Sequence, residues 1–172
     1  MDILAHGLWT GAALKATARR NTIARRTALW TIALSVLPDF GHALPVAIWS
    51  LFAGAPALFL DYALASPGSE PPMPEVVALW SHHLHCTLHS GLVAALVSLM
   101  VALAARRFWL PLAGWWSHIV IDVFTHSNSF YPVPVFYPLS YWGFDGLAWN
   151  SPAFMVTNYL ALALVWTLLL RR

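Results

Sequence analysis

Only one cysteine, Cys86, occurs in the 172 residues, so no disulfide can form within the chain. The surrounding run "HLHCTLH" has no CxxC spacing, so thiol usage marks no redox compartment, and Cys86 reads as a small buried apolar side chain. Charge is scarce as well: Asp, Glu, Lys and Arg together make up 9% of the chain, against roughly 25% in a soluble domain. Nine Lys and Arg set against seven Asp and Glu are too few and too scattered to imply a nucleic-acid partner, and none is expected. The opening "MDILAHGLWTG" carries an acid and no early Lys or Arg, so no cleaved leader is expected. Internal repeats and a soluble tail are also missing.

What fills the chain instead is hydrocarbon. Hydrophobic residues make up 59%, mean hydropathy is +0.65, and there are ten Trp, a residue favoured where apolar core meets headgroups. The expectation is an all-α polytopic membrane bundle, one integral-membrane domain over residues 1–172 with about four or five membrane segments, some of them short or broken. Ile3 to Ala16 and Thr27 to Leu37 are short apolar segments, and Ala43 to Leu64 is interrupted by "AGAP". A span needs about 20 helical residues, so Val76 to Ala105 is ample, Phe108 to Thr125 just sufficient, and Pro152 to Leu170 a further span. The prolines of "LPDFGHALP" predict that a half-helix ends there, followed by a bent or partly interfacial stretch. Two turn-rich breaks remain: the acidic "ASPGSEPPMPE" and the aromatic "SNSFYPVPVFYPLSYWGFDGLAWN", whose Tyr and Trp suit headgroup depth.

Eight of the nine basic residues fall in "RRNTIARR", Arg106–Arg107 and Arg171–Arg172. With all three groups on the cytoplasmic side, the acidic and aromatic loops face outward, in the inner membrane of the cell. That arrangement requires an odd number of crossings between Arg26 and the acidic loop.

Against this background the stretches "WSHHLHCTLHS" and "SHIVIDVFTHS" stand out. Residues three and four apart share a helix face, so His82, His85 and His89 form one stripe and His118, Asp122 and His126 another, while His83 points elsewhere. His6 and Asp39 fall at the same expected depth, so segments 3–16, 27–42, 76–105 and 108–127 deliver polar groups to one level. Ionisable groups at membrane depth are costly and mark function. Imidazole nitrogen with carboxylate oxygen, spaced His-x3-Asp on a helix, suits a divalent metal: zinc first, manganese or iron where more oxygen ligands join. His118 and Asp122 are expected to share an ion with His89 or His6, and Asp39 to reach the same cluster.

"LAHGLWTGAAL", "LPDFGH", "TLHSGL" and "GWWSHIVIDVFTHSNSFYPVPVFYPLS" occur in the order and rough spacing of the YdjM-like inner-membrane, metal-dependent hydrolase family, which the chain resembles from about residue 3 to residue 145. The resemblance implies metal-ligating roles for His6, Asp39, His89, His118 and Asp122, with Tyr137, Pro138 and Ser140 in the last element. Where the family continues "LPD" with a second acid, this chain has Gly41 and then His42, so the resemblance implies either the loss of a second-metal ligand or its replacement by His42. The family's "HRGxTHS" run is here "HCTLHS", without its Arg. A more distant similarity to the zinc-dependent phospholipase C and single-strand nuclease superfamily favours phosphoester chemistry.

The function expected is therefore a membrane-bound metal-dependent hydrolase that cleaves an ester or phosphoester of an amphipathic, lipid-like or small-molecule substrate by metal-activated water. His85 and His126 are the candidates for proton transfer. Ser90 and Ser117 each adjoin a His in sequence, but neighbours on a helix point about 100° apart, so neither dipeptide is a nucleophile and base. A metal-ion transporter or handling protein would need polar groups that continue to the other face, and "VAALVSLMVALA" and "LPLAG" are dry. A purely structural metal site would close with four ligands and have no surplus.

Sidedness is testable from the sequence alone. After replacement of Cys86, single cysteines at Ser69 and Asn128 are expected to react with a membrane-impermeant thiol reagent in intact cells, and one at Thr22 is not. The reverse pattern would place the chemistry at the cytoplasmic face.

Overall fold

The computed structural model describes residues 1–18 and 22–171. Arg19 and Arg20 of the basic run lie outside the described residues, as do Asn21 and Arg172. Among the described residues there are seven helices and no strand: α1 (Ile3–Thr17), α2 (Arg25–Phe52), α3 (Ala57–Leu64), α4 (Glu75–Leu88), α5 (Gly91–Ala105), α6 (Leu112–Thr125) and α7 (Pro152–Leu170). The all-helical, membrane-like architecture is as expected. α2 and α7 are each long and apolar enough to cross a bilayer, and α4 with α5 makes a third candidate span bent by 63°.

Three segments differ from the sequence expectation. No half-helix ends at "LPDFGHALP": α2 runs unbroken for 28 residues through Pro38 and Pro45. Each proline removes one backbone hydrogen bond, but in hydrocarbon a full helix end would strand several polar groups, so the continuous helix is cheaper. Asp39 therefore sits about midway along α2 rather than at an outer end. Val76 to Ala105 is not one straight span, because α4 stops at Leu88 and α5 starts at Gly91. Phe108 to Thr125 is helical only from Leu112, and its 14 residues are too few to cross alone.

α2 is the hub, packing against α1, α3, α4 and α6, while α7 lies against α1. The partition of side chains is inverted relative to a soluble domain. Leu51, Phe52, Leu64, Leu103 and Leu160 are exposed, whereas His6, Ser35, His89, Ser90, His118 and Asp122 are buried. Apolar side chains outside and polar ones inside is the arrangement that lipid as solvent selects. Several hydroxyls bond back to their own helices: Thr31 Oγ1 donates to the Thr27 carbonyl at 2.9 Å, Ser35 Oγ to Ile32 at 2.8 Å and Ser117 Oγ to Gly114 at 2.7 Å, while Ser117 also meets Thr10 Oγ1 of α1 at 3.0 Å.

The break between α4 and α5 is built rather than frayed. Leu88, the last residue of α4, gives its carbonyl to Trp115 Nε1–H at 2.6 Å. Ser90 caps α5 by accepting the Val93 N–H at 3.1 Å, and its hydroxyl donates to the Tyr137 carbonyl at 2.7 Å. The Leu92 N–H donates to Val135, so the aromatic loop 126–151 is stitched onto the break. Its Tyr131 hydroxyl reaches across to Glu70 Oε1 at 2.5 Å, which places the acidic and aromatic loops at one end of the bundle. Burial works to raise the Glu70 pKa, but the bonds from Tyr131 and the local backbone outweigh it and hold the carboxyl below its ordinary value.

Gly114 sets the approach of α6 to α2. A Cβ there would lie 1.9 Å from the Thr31 carbonyl oxygen and 3.2 Å from Ser35 N, both backbone atoms that cannot swing away. At Gly41 a Cβ would meet only Leu88 Cδ1, at 2.4 Å, the movable end of a flexible side chain. Gly114→Ala is accordingly expected to destabilise the bundle by about 1–3 kcal/mol through overpacking, and Gly41→Ala by less. Thermal unfolding of the two variants in detergent checks the order; equal effects would refute the backbone contact.

Candidate metal centre

His118 and Asp122 stand one turn apart on the buried face of α6, both without exposed surface, and Gly114 one turn before His118 packs against the α2 backbone. His89 is the residue that terminates α4 at the break, and Asp39 comes from the middle of α2. One ligand atom from each of these four residues lies within 4.8 Å of the other three. His118 Nε2 is 3.0 Å from His89 Nε2, 3.0 Å from Asp122 Oδ2 and 3.7 Å from Asp39 Oδ1. His89 Nε2 is 3.4 Å from Asp122 Oδ2 and 3.6 Å from Asp39 Oδ1. Atoms bound tetrahedrally to one zinc ion at about 2.0–2.2 Å stand about 3.3–3.6 Å apart, close to this spread.

The outer nitrogens of the rings decide what the inner ones are. His118 Nδ1 lies 2.8 Å from the Ser35 carbonyl, His89 Nδ1 2.9 Å from the His85 carbonyl, and His126 Nδ1 2.7 Å from the Tyr131 carbonyl. A carbonyl only accepts, so each Nδ1 carries a proton, and in its neutral form each ring would turn a bare Nε2 lone pair inward. Backbone carbonyls holding metal-facing imidazoles in this tautomer are the usual outer partners of a metal site. Asp122 Oδ2 and Asp39 Oδ2 are buried with no hydrogen-bond donor. Lone pairs from two nitrogens and two carboxylates thus converge in a covered space, which is satisfied by a cation at their centre. The donor set fits a divalent ion, with zinc favoured by its nitrogen content.

Asp122 faces a second group through its other oxygen. His6 Nε2 is 2.9 Å from Oδ1, His126 Nε2 is 3.6 Å away, and Thr125 Oγ1 donates to it at 3.4 Å. The amino group of Met1 lies on the same oxygen and 3.2 Å from His126 Nε2. His6 stacks on His118 with ring centres 3.9 Å apart, and its Nδ1 is buried without a partner.

Of the six residues expected as ligands, the structure brings Asp39, His89, His118 and Asp122 into one set and puts His6 on the far side of the Asp122 carboxylate. His42 stays outside it: its ring centre is 6.0 Å from that of His89, and its Nδ1 is 3.5 Å from the Tyr62 hydroxyl. Of the two proton-transfer candidates, His126 ends α6 against Asp122 Oδ1, and His85 stacks on His89 at 4.2 Å with its Nε2 unpartnered. The stripe of three histidines on α4 divides, since His82 turns to Cys86 Sγ at 3.6 Å and to the ring of Tyr141. His83 faces away and meets the Tyr137 hydroxyl at 2.8 Å. Sequence reasoning passed over the Ser35 carbonyl and Gly114, which hold and admit His118. A glycine one turn before a buried His on a helix otherwise rich in Trp is the signal that was available. Among the four, Asp39 keeps the most exposure, 16% of its side chain, so the centre opens on the side of Asp39 and the half-buried His42 and His85.

Purified protein is expected to hold a divalent metal by elemental analysis. Asp122→Ala and His118→Ala should lose it, and His83→Ala should keep it. Full occupancy in Asp122→Ala would exclude the four-residue centre.

A family model described as YdjM inner membrane protein matches residues 1–171 of the chain. No curated protein and no solved structure matches it.

Proposed function

The chain belongs to the YdjM inner membrane protein family, and from that membership and the geometry of the centre we propose that it is a membrane-bound metal-dependent hydrolase acting on an ester or phosphoester of an amphipathic substrate. The observation that supports this most directly is the set of four converging lone-pair atoms, two of them on imidazoles whose Nδ1 protons are committed to backbone carbonyls. Asp39, His89, His118 and Asp122 would hold the ion, with zinc the first choice and manganese or iron the others. A cation so held supplies Lewis acidity, drawing the pKa of water toward 7 and polarising the bond to be cleaved.

The remaining residues have their own tasks. Asp122 Oδ1, with His6 and His126, extends ligand capacity beyond four groups, which a closed structural site would not need. His126 is suited to move a proton, because its Nδ1–H is fixed on the Tyr131 carbonyl while its Nε2 faces the Met1 amino group at 3.2 Å and Asp122 Oδ1 at 3.6 Å. His85, beside the more open Asp39, is suited to the same role on the other flank. α4, α6 and the stitched loop exclude water from the remaining sides. Against the transport reading stand the buried hydroxyls of Thr31 and Ser35, each turned onto its own helix rather than along a path.

Four or five membrane segments follow if α2, the α4–α5 pair and α7 cross and the shorter α1 and α6 are held among them. Arg25 begins α2, Arg106 caps α5 and Arg171 caps α7, so one basic end serves all three crossings, consistent with access from the outer face.

The test is hydrolysis by zinc-loaded protein of lipid esters and phosphoesters in mixed micelles, followed by mass spectrometry of the products. Activity should vanish with a chelator, return with metal, and fall about 10²–10⁴-fold in His126→Ala with the metal retained. Metal-driven flux into sealed vesicles without hydrolysis would replace this reading with transport.

A further inference from the structure

A cavity of about 370 Å³ lies between α1, α6 and α7, in the size range of about 300–1,000 Å³ that small ligands occupy. Its apolar walls come from Trp9, Ala13, Ile121 and Phe154. The hydroxyls along it are engaged elsewhere: Thr10 and Ser117 bond each other at 3.0 Å, and Thr125 donates to Asp122 Oδ1 at 3.4 Å. What is left to face the cavity is hydrocarbon and aromatic ring, in which water gains little. Ala13 at its rim is exposed, and α7, which forms one wall, is a candidate membrane span, so the cavity adjoins lipid.

One further feature distinguishes this groove from a packing defect. Met1 and Thr125 both line it and both bond Asp122 Oδ1, so the groove ends one residue short of the buried carboxylate of the metal centre. Asn158, also in the lining, accepts the Trp9 indole N–H at 2.9 Å through Oδ1, but its Nδ2 is buried without an acceptor. That nitrogen has no surface open to the groove, so what the groove calls for on its occupant is apolar bulk.

We propose that the α1–α6–α7 groove seats one hydrocarbon chain of a membrane lipid, with the polar head carried to the end formed by Met1 and Thr125, beside the metal centre. This rests on the hydrolase reading for its consequence, since it makes a chain-bearing lipid the substrate of the metal centre. Binding reaches the centre sideways, from the bilayer, while water and released head group use the Asp39 side.

A phosphatidylglycerol bearing a diazirine on one acyl chain, in phosphatidylethanolamine–phosphatidylglycerol vesicles with the full-length protein, tests it. After illumination, peptide mapping should find adducts on Trp9, Ala13, Ile121 or Phe154 in excess over the lipid-facing Leu96 and Leu103 of α5. Ala13→Trp, which fills the groove, should abolish that excess with metal content unchanged. Unlabelled phosphatidylglycerol, a measurement that needs no variant, should displace the groove adducts before those on α5. Labelling of the groove no stronger than of α5, or unmoved by both treatments, overturns the proposal. Saturable groove labelling of a protein that holds no metal would keep the lipid seat and discard the hydrolase reading; metal-dependent cleavage of short soluble esters with an unlabelled groove would do the opposite.

Discussion

A carboxylate with no exposed surface, on a helix packed into an apolar bundle, is tolerable only among charges and donors that compensate it, and Asp122 is in that position. The described ion pairs bring no Lys or Arg side chain to it. Its contacts are imidazoles from α1, α4 and α6, the amino group of Met1 and the hydroxyl of Thr125. The three elements that carry those histidines must therefore meet at one point, and the crossing of α2 behind them supplies Asp39 and the Ser35 carbonyl. The packing follows from this requirement. Gly114 permits α6 to touch α2, and the break after Leu88 lets His89 end a helix rather than lie along it.

The same requirement accounts for irregular backbone at depth. A helix break in hydrocarbon leaves polar groups to be satisfied, and here Trp115, Ser90 and the returning aromatic loop satisfy them. The loop thus serves the centre as well as the interface. It fixes the break that presents His89, and it offers the Tyr131 carbonyl that orients His126. Two sides of the centre then differ in character: an apolar groove against α7, and a more open flank at Asp39, His42 and His85. An amphipathic substrate is itself two-sided, which is why the groove and the ligand set read most simply as parts of one site.

Much of this was legible in the chain. The membrane class and the helical architecture come from composition and the facing of His118 and Asp122 from i, i+4 spacing, signals that are local and depend only on what hydrocarbon tolerates; His6, Asp39 and His89 joined them through matched depth and the family resemblance. Prolines misled where the environment reversed their usual effect. In water, "LPDFGHALP" would end a helix, whereas in a bundle the lost hydrogen bonds cost less than an exposed helix end, so α2 continues and Asp39 lies mid-helix. The bend of the "ample" span was hidden for the opposite reason: nothing in "CTLHSGL" forbids a continuous helix, and the break is held by Trp115 and Val135, distant in sequence.

By itself, the sequence determined that polar groups would be buried in an apolar chain and which residue types could share a metal, because side-chain chemistry and helical period are properties of neighbours. Only the tertiary structure decided which of eight histidines face the two carboxylates, which nitrogen each presents, and that two residues lining the groove, Met1 and Thr125, touch Asp122. Those outcomes depend on contacts between residues far apart in the chain, such as Ser35 with His118 and Trp9 with Asn158, and no spacing along the chain encodes the distance between helices once they pack.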